Sequence, residues 1–197
     1  MRFFLLAALS ALSLANAQEL TKLDAITPRE VQIRIARSAA PKEISDKADI
    51  YVLGKNGYEL AEKGSNGFTC AVERERVDTM EPECYDREGS GTTFQVRKFV
   101  EQQRAAGASE EKIEKAVAAG YKTGRFKAPT KPGIVYMMSD SNHVFDPDSK
   151  KVIHFPGHLM FYAPYATAET VGSGEGAPYI VHPGKPDALL IVVPAKH

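Results

Sequence analysis

Charge of one sign, cysteine in number and any long apolar run past the amino terminus are missing from this chain. Its 197 residues carry 25 Lys and Arg against 25 Asp and Glu. The basic side chains are scattered among acids, so no massed positive surface awaits phosphate backbones or anionic lipid. That argues against nucleic-acid binding. No Cys-x-x-Cys, His-Glu-x-x-His or Gly-x-Ser-x-Gly occurs, which removes the familiar redox, zinc-peptidase and serine-hydrolase signatures. Nor is there an internal repeat or a low-complexity tract.

What is present begins at the amino terminus. Arg2, the apolar stretch over residues 3–14 and then Ala15-Asn16-Ala17 have the form of a cleavable secretory signal. The apolar part is shorter than the roughly 20 residues of a membrane-spanning helix. The expectation is an exported protein of the periplasm or the medium, with residues 1–17 removed and no integral membrane segment after that cleavage. Residues 18–197 then form one domain. In an oxidising compartment the two cysteines, Cys70 and Cys84, are expected to pair as one disulfide.

Thr27-Pro28-Arg29-Glu30 reads as a capping box that opens a helix to about Ala39, although Val31, Ile33 and Ile35 alternate as a strand would. Residues 50–53, 58–62 and 68–72 are apolar segments separated by Asn56-Gly57 and Asn66-Gly67, the pattern of a three-stranded meander. Residues 76–86, with Pro82, read as a loop pinned to the sheet by the disulfide. Glu73-Arg74-Glu75-Arg76 reads as an exposed, mixed-charge exit from a strand. Two helices follow, over 92–106 ended by Gly107, and from a Ser109 cap to residue 120 or 121. Val96, Phe99 and Val100 line one side of the first; Ile113, Ala116, Val117 and Tyr121 line one side of the second, a helical pair for one sheet face. Further strands are expected over 134–138, 152–155, 159–162, 179–181 and 189–193, with a mobile Gly-rich loop over 172–177.

Strands grouped before and after a helical pair give an α+β domain with a mainly antiparallel sheet. The element order resembles that of profilin-like sensor domains of the PAS and Cache type. Asn66-Gly67-Phe68-Thr69-Cys70 with Glu81-Pro82-Glu83-Cys84, the run 132–137 and the run 158–165 are similar to phrases in uncharacterised exported bacterial proteins. That resemblance implies a bacterial, exported single domain and brings no activity with it.

The chemistry-bearing residues gather late in the chain. All five histidines, His143, His154, His158, His182 and His197, lie in the last third. Convergence of His154, His158 and His182, with His143 or Asp140 near, would give a metal site; Phe155-Pro156-Gly157 between the first two denies them a shared helix face, so histidines satisfied in the core or at the surface are the plainer reading. His158, Tyr162, Tyr165 and Tyr179 suit a pocket for a small organic ligand, the alternative being core filling and loop anchoring. Ser139-Asp140-Ser141-Asn142-His143 superficially resembles a hydrolase constellation without its oxyanion site. Asp146-Pro147-Asp148-Ser149 lacks the glycine and glutamate of an EF-hand loop and reads as a turn, as does His182-Pro183-Gly184-Lys185-Pro186. The function expected is small-molecule binding or sensing in the cell envelope, with no cofactor. The rivals are a small hydrolase or metal-dependent enzyme using His154, His158 and His182, and an envelope protein-interaction module.

Overall fold

The computed structural model describes residues 28–74, 79–146, 148–172, 174 and 176–193. The expected signal, Thr27 of the capping box, Glu75, Arg76 and His197 lie outside these residues, as do two positions of the expected Gly-rich loop.

Helix α1 (Arg29–Arg37) starts after Pro28 and buries Gln32, Ile35 and Ala36, a spacing of three and four that settles the earlier ambiguity in favour of the helix. A short helix α2 (Lys42–Ser45) follows Pro41. Strands β1 (Asp49–Gly54) and β2 (Gly57–Glu62) form the expected hairpin. Of the turn residues only Gly57 has a positive φ, 102°, so the connection is a turn closed by a left-handed glycine rather than a primed two-residue turn.

The meander ends there. Strand β3 (Thr69–Glu73) does not pair with β2 but lies parallel to β1, with Asp49 opposite Thr69 and Ile50 opposite Cys70. Asn66-Gly67 is therefore a crossover corner. The Asn66 side chain donates to the Ile44 carbonyl (2.8 Å) and accepts from the Phe68 amide (3.0 Å), tying the corner to α2.

Residues 79–85, expected as loop, are strand β4 (Thr79–Tyr85), antiparallel to β3 with Cys70 facing Cys84 and Val72 facing Pro82. Proline is tolerated because on the other edge of β4 the ladder is interrupted: Cys84 and Tyr85 pair with β5 (Ile134–Met137), Thr79 and Met80 with β6 (His143–Asp146), and Pro82 sits in the gap. The Cys70–Cys84 disulfide joins the two strands, and both residues have no exposed surface. The Cys70→Ala/Cys84→Ala variant is expected to lose about 3 kcal/mol, read in thermal unfolding as a fall in Tm of about 6–12 °C. Reductant without denaturant should leave the native bridge intact, and thiol titration checks both points.

The remaining strands are β7 (Lys151–His154), β8 (His158–Tyr162), β9 (Tyr179–Val181) and β10 (Leu189–Val192). The sheet runs β2-β1-β3-β4-β5-β8-β10-β9, with the β6–β7 arm branching from β4. All pairings among the described strands are antiparallel except β1–β3, so the expected α+β class with a mainly antiparallel sheet holds.

Helix α1 packs on β1, β3 and β4, sealing a core of Ile35, Ala36, Ile50, Val72 and the disulfide. The opposite face receives α4 (Thr93–Ala105), which follows the single-turn α3 (Arg87–Gly91). Its Phe94 ring meets Tyr51, Tyr58 and Tyr85 at 5.0, 5.6 and 5.7 Å. Helix α5 (Glu110–Lys122) keeps its Ser109 cap but packs on α4, where Val96, Phe99 and Phe126 with Ala116, Val117 and Tyr121 form their own cluster. The expected helical pair thus contributes one helix to the sheet and stacks the other on it. A last short helix, α6 (Ala168–Val171), precedes β9.

Candidate functional site

Side chains alternate along a strand, so antiparallel register decides which residues share a face. The β3–β4 register puts Glu73 opposite Glu81 and Ala71 opposite Glu83, and all three carboxylates join Tyr85 on the face that carries α4. On the same face β5 and β8 bring Met137 opposite His158 and Val135 opposite Met160. Met160 in turn faces Ile191 of β10, which faces Tyr179 of β9. Helix α4 packs on β2 and reaches β1 and β4 through Phe94. Beyond it a cavity of about 210 Å³ remains.

Its floor is apolar: Met137, Met160, Leu189 and Ile191. One end is acidic, with Glu73, Glu81 and Glu83 beside Arg97 from α4. Arg97 Nε lies 3.2 Å from Glu73 Oε2, while Glu73 Oε1 is buried without a hydrogen-bond partner. The Tyr85 hydroxyl donates to Glu83 Oε2, and Thr79 Oγ1 donates to Glu81 Oε2 at 2.9 Å. Burial, and after it the Glu83 charge, push the Glu73 carboxyl well above the usual carboxylate range against the pull of Arg97. Burial opposes the charge on Arg97, but Tyr85, Glu73 and Glu83 together outweigh it and raise its pKa further. Tyr85 is raised by burial and then by Glu73 and Glu83, so it stays a proton donor.

The expected ligand residues separate. His158 and Tyr179 line the cavity. His158 is buried, and because the Pro156 carbonyl 3.0 Å from Nδ1 can only accept, Nδ1 carries the proton and Nε2 the lone pair. Burial holds this imidazole below its ordinary pKa. Tyr179 is 51% exposed and marks where the cavity reaches the surface. Tyr162 and Tyr165 do not line it. The Tyr162 hydroxyl donates to Asp86 Oδ1 at 3.1 Å. Asp86 also caps α3 through the Gly89 amide (3.0 Å) and accepts from the Ile134 amide (2.9 Å). Tyr162 is thus a latch between β8 and the start of α3; a Cβ at Gly89 would lie 1.8 Å from its hydroxyl. Tyr165 is 62% exposed with φ 64°.

The histidines separate too. His182 lines the cavity with His158, and its Nδ1 lies 3.3 Å from Asp187 Oδ2. His154 stands on the β6–β7 arm opposite His143, ring centroids 5.5 Å apart. Among the described residues no three His, Cys, Asp or Glu side chains are grouped to hold a metal ion. Ser139 is buried, its Oγ 2.6 Å from Ser38 Oγ and accepting from the Ser141 amide (3.0 Å), while His143 Nδ1 lies 2.9 Å from the Ser141 carbonyl. These contacts are internal to the loop and its support. Asp146 accepts from the Asp148 amide (3.1 Å) and the Ser149 hydroxyl (2.5 Å), an Asx-type turn.

Sequence reasoning passed over Glu73, Glu81, Glu83 and Arg97. Glu73, read as part of an exposed strand exit, is only 3% exposed, and Arg74 is paired with buried Glu101 at 2.8 Å. A period-two run, Thr79, Glu81, Glu83, Tyr85, was the available signal. No protein-family model matches the chain, and neither a curated protein nor a solved structure matches it.

Proposed function

We propose that this is an exported envelope domain, related to bacterial exported proteins, that binds a small organic molecule in the sheet-face cavity. The observation that carries the reading is the pairing of an apolar floor with a few convergent polar groups, the composition of ligand sites generally. An engineered cavity of about 150 Å³ takes a benzene ring, so the space suits a ligand of roughly ten non-hydrogen atoms. The buried disulfide supports an oxidising compartment. A cavity on one sheet face also supports the likeness to profilin-like sensor domains of the PAS and Cache type, in which case binding would be read out as a signal.

The test is a thermal-shift screen of small aromatic and aliphatic compounds, followed by titration calorimetry. Hits are expected to bind about five-fold or more weakly to Tyr179→Ala; this rim residue is half exposed, so its loss leaves the core intact. A screen without hits, or hits indifferent to both Tyr179→Ala and the cavity-filling Ile191→Trp, would sink the reading.

A second reading, a protein-interaction module, is favoured by the other face of the same strands. There Ile134, Phe161 and Leu190 face one another across β5, β8 and β10, with Leu159 on the same face between Tyr136 and Val192, and none of these is buried.

A further inference from the structure

A second pocket, of about 450 Å³, opens where the β1–β2 turn meets α4, and it shares no lining residue with the sheet-face cavity. Helical spacing sets one wall. Gln95, Lys98 and Gln102 stand three and four residues apart, on one face of α4. The turn lies close against that face, since a Cβ at Gly57 would come within 3.0 Å of the Gln102 backbone nitrogen, and Asn56 thereby joins the lining. On the far side Gly124, with φ 78°, turns the chain back at the end of α5. The Phe126 ring then packs on Phe99, centroids 5.3 Å apart, and this sets Arg125 at the pocket.

Two cations in this lining meet no acid. The Arg125 guanidinium lies over the Phe99 and Phe126 rings, 4.4 and 5.3 Å from their centroids, and Lys98 Nζ lies 5.0 Å from that of Tyr51. Stacking holds the guanidinium in place but leaves its in-plane N–H donors unspent. Among the described residues neither side chain makes an ion pair or a hydrogen bond, and no Asp or Glu lines the pocket. The other arginines of α4 differ: Arg97 pairs with Glu73, and Arg104 with Glu101 and Glu110. Beside the two cations, the side-chain amides of Asn56 and Gln102 also make no hydrogen bond to the described residues. Charged donors and amides that donate and accept thus converge on one concave surface.

We propose that this pocket is a second binding site, selective for small phosphorylated sugars, with Arg125 and Lys98 on the phosphoryl oxygens and Asn56 and Gln102 on the hydroxyls. The guanidinium fork takes two oxygens of one phosphoryl group at once, and the ammonium adds a point charge. A hydroxyl both donates and accepts, as a side-chain amide does, so the two pair in either sense. A neutral sugar would leave both cations unanswered. Bare phosphate would answer the cations and leave the amides. The site stands apart from the sheet-face cavity and works whether or not that cavity holds a ligand.

The experiment uses glucose 6-phosphate, doubly charged near pH 7.5, with glucose and inorganic phosphate as its two halves. Calorimetry on the wild-type chain in low salt is expected to show the sugar phosphate binding at least about ten-fold more tightly than either half. Its affinity should fall about three-fold or more between about 20 and 200 mM NaCl. Arg125→Gln should weaken binding by about five-fold or more, and Arg125→Lys by nearly as much, because charge without the fork does not replace it. Arg125 is exposed, so both variants keep the fold, and an unchanged Tm confirms it. Lys151→Gln, at an exposed position on the β6–β7 arm, should leave binding as it was. Equal affinity for glucose 6-phosphate and glucose, or equal losses from Arg125→Gln and Lys151→Gln, overturns the anion site. Equal affinity for glucose 6-phosphate and inorganic phosphate overturns the selectivity for sugars. No binding of glucose 6-phosphate overturns the whole proposal and leaves the sheet-face cavity reading untouched.

Discussion

Replacing Phe94 by alanine should lower stability by about 3–5 kcal/mol, the range for removing a buried aromatic ring. The ring is 1% exposed and touches Tyr51, Tyr58 and Tyr85 across three strands of the sheet, so no neighbour can collapse into the space without leaving its own partners. Aromatic pairs of this geometry contribute about 0.5–1.5 kcal/mol each beyond area burial, which places the loss toward the upper end. Tm should fall by about 6–20 °C. The consequence reaches the cavity, because Tyr85 both packs on Phe94 and donates to Glu83. Phe94→Leu, which keeps most of the volume, should recover at least half of the loss. Urea denaturation of the two variants measures the difference, and equal losses in both would show that ring contact with the tyrosines contributes little.

The elements that could be read in advance are those whose signal is local. The Ser109 cap, Gly107 with its φ of 77° and the strands around Ile134 and Leu189 stand where residue type alone puts them. Strand β4 was hidden by its own composition: Glu81, Pro82 and Glu83 read as loop because nothing nearby reveals the gap in pairing that admits the proline or the cavity that admits the carboxylates. The parallel β1–β3 pair was hidden for a similar reason. Asn66-Gly67 has hairpin chemistry, and only the docking of the Asn66 side chain on α2 turns the corner another way. The histidines show the limit from the other side. They crowd together in sequence, yet the β6–β7 arm carries His143 and His154 apart from His158 and His182. At the cavity His158 and His182 are joined by Glu73, Glu81, Glu83 and Arg97, which β3–β4 register and the placement of α4 assemble.

Removing Arg97 should make stability depend strongly on pH through buried Glu73. Arg97→Met keeps the apolar stem but removes the guanidinium from buried Glu73 and Glu83, and breaking a buried pair in this way costs about 3–5 kcal/mol. The sign of the pH dependence follows from Glu73. Its folded-state pKa lies above that of the unfolded chain, so the native state binds the proton more tightly, and stability from this group declines as pH rises from about 4.3 through the folded value. Without Arg97 the folded value rises further, and the decline becomes steeper and extends to higher pH. The deficit of the variant should therefore be largest near pH 8 and shrink toward pH 4.5, where Glu73 is protonated with or without its partner. Adding Glu73→Gln to Arg97→Met should restore about 2 kcal/mol at pH 8, since the double variant no longer buries that uncompensated charge. Urea unfolding of the four proteins across that pH range completes the cycle. A deficit under about 1 kcal/mol that does not vary with pH is what an exposed cation would give, and it would show that Arg97 does not offset a buried Glu73 charge.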